Sequence, residues 1–146
     1  MKKVLLALAI AGLIAATPVM AQEEASSIVG DWRMTSLEVP NAAGEMEAVP
    51  YSGLVIFTEG GTMSVQAMNP DPNARDSPYT LRGYEAYYGP VAIDEAANTF
   101  EITIESAAVR DLIGQTFERA FEVSGDQLVL TPTSPDEHWR VTYERE

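Results

Sequence analysis

From Ile28 onward the chain is a series of short apolar runs, each closed by a turn signal, and no segment is long enough for a helical crossover between parallel strands. That pattern restricts the fold to antiparallel strands joined by local connections. The runs are residues 28–39, 54–58, 62–68, 88–93, 99–106, 115–123, 127–131 and 138–145. Glu59-Gly60-Gly61 and Ser124-Gly125-Asp126 are hairpin turns, and Pro40 to Gly44 and Asp94 to Asn98 also break the pattern. Alternation is clearest in the fifth run, where Phe100, Ile102 and Ile104 share one face and Glu101, Thr103 and Glu105 the other. Asn69 to Pro78 carries three prolines and reads as a long loop. Residues 81–87 read as one or two helical turns, and residues 107–113 as a short helix or lid. Eight strands in a meander fit a sandwich or an up-and-down barrel. Closing the barrel removes unpaired edges and leaves an interior that either fills with side chains or holds one small ligand.

The first 21 residues carry an address rather than a fold. Lys2 and Lys3 precede an uninterrupted apolar stretch, Val4 to Ala16, and Val19-Met20-Ala21 offers small residues where a signal peptidase reads them. Thirteen apolar residues are too few for a hydrocarbon core of ~30 Å. The expected organisation is a signal peptide over 1–21, a loose leader over 22–27 and one barrel domain over 28–146. Export to the periplasm or beyond, with no stable membrane insertion after cleavage, follows as an expectation.

The net charge of −13 argues against nucleic acid, whose phosphates demand clustered Lys and Arg. Cleavage after Ala21 removes both lysines, so the seven remaining bases are all Arg. The absence of Cys excludes disulfides and cysteine nucleophiles, and with a single His a transition-metal site is not expected. Asn69 to Asn73 imitates a calcium loop but has Ala74 in place of the turn glycine. No Gly-x-Ser-x-Gly elbow marks a nucleophile. No catalytic residue and no cofactor is assigned.

Several segments resemble the lipocalin-like domain family. Gly30-Asp31-Trp32 is similar to the Gly-x-Trp signature of the first strand, and Leu54 to Met68 to the second-to-third-strand hairpin. Tyr84 to Gly89, Gly114 to Arg119, Leu130-Thr131-Pro132 and Thr142 to Arg145 continue the likeness in order. The resemblance implies an all-β, eight-stranded antiparallel up-and-down barrel with a cup-shaped interior, and it carries no activity with it. Relatives often have histidines in the fifth strand, where this chain has Ile102 and Thr103. The resemblance also implies that Trp32 plugs the closed end against a late-strand Arg. Arg145 fits that role, with Gly30 giving the close backbone approach.

Arg119 shares a face with Phe117, Phe121 and Val123, so it is expected inside the barrel as an anchor for a carboxylate or carbonyl. The alternative is stacking on Trp32. Tyr84 and Tyr88 are expected to rim the mouth, while Tyr79 and Tyr87 pack a long connection. Gln66, Met68 and Phe117 complete the expected ligand-contacting set, and His138 is expected in solvent. The reading that follows is a small apolar or amphipathic ligand held in the barrel. The competing readings are an isomerase or cyclase that uses a Tyr hydroxyl with Arg119, and a filled, partner-binding barrel.

Overall fold

A computed structural model describes residues 26–146. The expected signal peptide, residues 1–21, and residues 22–25 of the expected leader lie outside the described residues. Eleven strands form one sheet: β1 (Gly30–Pro40), β2 (Met46–Val49), β3 (Ser52–Phe57), β4 (Thr62–Met68), β5 (Thr80–Leu81), β6 (Tyr84–Asp94), β7 (Thr99–Thr103), β8 (Ser106–Ala107), β9 (Thr116–Ser124), β10 (Gln127–Pro132) and β11 (Arg140–Arg145). Eight of them, β1, β3, β4, β6, β7, β9, β10 and β11, pair antiparallel in chain order, and β11 pairs back onto β1. The result is the closed eight-stranded up-and-down barrel, with no open edge in the main ring. The short β2, β5 and β8 extend hairpins at one end.

Period-two alternation decides what faces inward. On β4 the inner side chains are Met63, Val65 and Ala67, and on β9 they are Phe117, Arg119, Phe121 and Val123. On β7 and just beyond it, Phe100, Ile102 and Ile104 point in, as the sequence pattern requires. One strand breaks phase. The β1–β11 register shifts between Met34 and Ser36, so the extra residue of a bulge lets both Met34 and Leu37 face the interior.

One end is sealed. Trp32 is 0% exposed, and its indole N–H donates to the Ile28 carbonyl at 2.9 Å. Phe57 meets Phe100 edge-on, with centroids 5.1 Å apart. From the solvent side, the Arg145 guanidinium lies 4.0 Å from the Trp32 ring centroid and donates to the Val29 and Ser27 carbonyls. Gly30, at φ 138°, makes this possible, since a Cβ there would sit 2.6 Å from Arg145 Nη1. The Gly-x-Trp pair and Arg145 are one device: a ring, a cation beneath it and a bare backbone between.

The structure corrects the reading at residues 81–87 and at β2. Residues 81–87 are not helical. Arg82 and Gly83 take positive φ and turn β5 into β6, which starts four residues before the expected strand. The only helical turn among the described residues is Arg110–Leu112. β2 was not foreseen; it pairs with β1 after a turn in which Asn41 Oδ1 accepts from Ala43 N–H and Glu45 N–H. Ser26 and Ser27 donate to the Glu95 carboxylate in the β6–β7 turn.

Candidate functional site

The interior is not filled by side chains. A cavity of about 510 Å³ runs from the Phe100 layer to the unsealed end. Apolar side chains make most of its wall, among them Met34, Leu37, Val65, Leu130 and Val141. Its mouth lies where β1, β4, β6 and β11 end or begin, beside Val39, Val49, Tyr51, the Ser77–Thr80 stretch and His138–Trp139. His138 is exposed at that rim.

Arg119 is inside, as its strand phase requires, with its side chain 7% exposed. A cation there must be compensated. Glu137, from the loop before β11, supplies the carboxylate: Nη1 donates to Oε1 at 3.0 Å and Nη2 to Oε2 at 3.2 Å. Nη2 also donates to the Tyr79 hydroxyl at 3.0 Å, and that hydroxyl donates in turn to Glu137 Oε2 at 2.5 Å. Trp139 Nε1 adds a fourth donor to this carboxylate at 3.2 Å. The guanidinium lies over the rings of Phe117, Trp139 and Tyr79 at 4.9, 5.2 and 5.9 Å.

Arg119 therefore ties two loops, 69–79 and 133–139, to the barrel wall. Its terminal nitrogens are committed to protein partners, which corrects the expectation of a free ligand anchor. Burial by itself would raise the Glu137 carboxyl. The hydrogen bonds from Tyr79 and Trp139 and the charge of Arg119 outweigh that, and they hold it below the usual carboxylate range. Burial and the adjacent Glu137 push the Tyr79 hydroxyl up to about 12, so it stays a donor.

Glu85 is a further ionisable group of the interior. β6 alternates, so Glu85, Tyr87 and Gly89 face inward and Tyr84, Ala86 and Tyr88 outward. Among the described residues Glu85 has no ion-pair partner. Burial pushes its carboxyl up from 4.5 to about 7, although the Arg119 charge and the Tyr87 hydroxyl pull the other way. The hydroxyls of Tyr87 and Tyr143 are raised by burial first and by Glu85 next, and Tyr51 feels the same charge. Tyr51, Tyr87 and Tyr143 thus share the cavity wall with this carboxylate.

Four expected contacts lie elsewhere. Tyr84, Tyr88, Gln66 and Met68 are all exposed on the outer surface. The reason is strand phase: with Met63, Val65 and Ala67 inside, Gln66 and Met68 must be outside, and Tyr84 and Tyr88 sit an even step from each other on the outer side of β6. Met68 pairs across to Tyr84, which pairs in turn with Leu81, so these side chains form an external apolar strip. Phe117 points inward but packs behind Tyr79, rings 5.7 Å apart, and supports Arg119 instead of lining the cavity. Tyr79 and Tyr87, expected as packing residues, line it. Glu85 and Glu137 were missed. For Glu85 a signal existed, since stepping back by two from Ile93 and Val91 reaches Gly89, Tyr87 and Glu85. For Glu137, in a loop, there was none. Among the described residues no group of three or more His, Asp or Glu side chains is placed to hold a metal ion.

The sealed floor, continuous ring and open apolar cavity define a cavity-bearing up-and-down β-barrel. The chain belongs to the lipocalin-like domain family, whose model matches residues 29–144. No curated protein matches it. Among solved structures it is similar to an uncharacterised protein from Bacteroides eggerthii DSM 20697, with 16% identity, 81% of this chain and 98% of that one covered, and a TM-score of 0.48. It is also similar to the wild-type fluorescent protein UnaG, with 13% identity, 82% and 97% coverage, and a TM-score of 0.40.

Proposed function

We propose that the protein is an exported binding protein that takes one small apolar or amphipathic molecule into its barrel. The observation that carries this reading is the preformed cavity of about 510 Å³, walled by apolar side chains with a few polar groups at fixed places. Its size falls within the ~300–1,000 Å³ of sites that enclose a single small ligand. The apolar wall supplies affinity in proportion to the ligand surface it removes from water. The Arg119–Glu137–Tyr79 cluster supplies no free acid–base pair, because each member is spent on the others. Residues 2–21 support export.

Detergent-free protein, titrated with Nile red and examined by native mass spectrometry, tests the binding reading. Saturable fluorescence enhancement at one dye per chain is expected, and no enhancement would overturn it. Intact mass of the secreted chain is expected to begin at Gln22, and a secreted species that retains Met1 would overturn the cleavage reading.

A further inference from the structure

We propose that the ligand of this cavity carries a basic, positively charged nitrogen, which sits against the Glu85 carboxylate among the rings of Tyr51, Tyr87 and Tyr143. The inference rests on the binding reading above and names the chemistry of its ligand.

Charge accounting within the cavity points this way. Arg119 and Glu137 cancel each other in a two-pronged pair at 3.0 and 3.2 Å. Glu85 then remains as a carboxylate facing the cavity with no ion-pair partner among the described residues. An ionised carboxylate on an apolar wall, supported only by the Tyr87 hydroxyl and the more distant Arg119 charge, gains a contacting counter-ion from a ligand ammonium. The surroundings suit a cation as well. Tyr87 from the same strand, Tyr143 from β11 and Tyr51 from the segment before β3 line the same cavity and feel the Glu85 charge. Their ring faces attract a cation and their hydroxyl oxygens accept from an N–H donor.

The remaining ionisable groups toward Glu85 are Arg119 of β9, with its two terminal nitrogens engaged, and, at the mouth, Tyr79, Glu137 and His138. An anionic headgroup would meet Glu85 and find the Arg119 fork occupied. The net charge of −13 extends the same preference to long range, favouring approach of cations.

The test is displacement of Nile red from the full chain by three probes of equal chain length: dodecylamine, dodecanol and dodecanoate. At a pH of about 8, above the Glu85 midpoint of about 7, the amine is expected to bind about tenfold more tightly than the alcohol, with the acid weakest. Glu85→Gln is expected to bring the amine level with the alcohol while dye uptake persists, which also reports that the variant is folded. An amine no tighter than the alcohol in the native chain, or an acid that binds best, overturns the inference and leaves the binding reading intact. So does a Glu85→Gln variant that takes up dye and keeps the preference. The ranking in the native chain decides even if the variant does not fold. Absence of dye uptake by the native chain overturns the binding reading and this inference with it.

Discussion

Glu137 and Arg119 hold each other in place at very different depths. Glu137 keeps some contact with solvent, whereas Arg119 has almost none. Glu137→Gln removes the charge from the exposed partner and strands the buried one, so a loss of about 3 kcal/mol in urea unfolding is expected. Arg119→Met leaves only a partly buried carboxylate and is expected to cost about 1–2 kcal/mol, with the double variant well short of the sum. Costs that simply add would show that the two do not act as a pair.

Glu85 and Glu137 also shape the pH response in opposite directions. The folded state raises Glu85 from 4.5 to about 7, so its contribution is fully present below about 4.5 and is lost as pH rises through about 7. Glu137 is lowered, so its contribution is present above the ordinary carboxylate range and is lost as pH falls through its folded midpoint. The melting temperature of Glu85→Gln minus that of the native chain is expected to grow between a pH of about 5 and about 8; a flat difference would remove Glu85 from the interior. The sequence showed that Arg119 faces inward, because two phenylalanines and a valine share its phase. It did not show what meets Arg119, since Glu137 arrives from a loop, where no periodicity applies.

At the level of strands, the barrel depends on a few places where backbones come closer than side chains allow. Gly89 is the tightest. A Cβ there would stand 1.9 Å from the Thr103 carbonyl, where β7 leaves the sheet and the chain swings toward β8. Gly89→Ala is expected to cost about 3 kcal/mol or more, measured by thermal or urea unfolding, and a cost near zero would mean that β7 departs elsewhere. Seven of the eight barrel strands were legible to within two residues at most boundaries, because hairpin turns such as Glu59-Gly60-Gly61 punctuate them. β6 was the exception. Its first half reads Tyr-Glu-Ala-Tyr, without the β-branched residues that mark a strand, and only pairing with β4 and β5 makes it one. With the strand taken to start at Tyr88, Tyr84 and Tyr88 were expected at the mouth, and the inward phase of Glu85 went unread. The bulge between Met34 and Ser36 worked the same way on β1, where a spacing of three replaces the spacing of two.

For the molecule as a whole, closure and occupancy act on the same equilibrium. The barrel buries Trp32, Phe57, Phe100 and Leu128 in its lower half and leaves its upper half hollow, so its stability is unevenly distributed along the axis. A molecule that fills the hollow adds stability by mass action. At one hundred times its dissociation constant it is expected to contribute about 2.7 kcal/mol, read as an upward shift of the melting temperature with dodecylamine concentration. No shift at concentrations that displace Nile red would place the dye outside the barrel.

The floor has a practical corollary. Ser26 and Ser27 enter there, held by Glu95, and Glu146 finishes beside Asp31 and Arg33 at the same pole. Ser26 and Glu146 therefore both lie at the pole opposite the cavity mouth. A fluorophore or an immobilising surface attached at either position leaves the cavity mouth unobstructed.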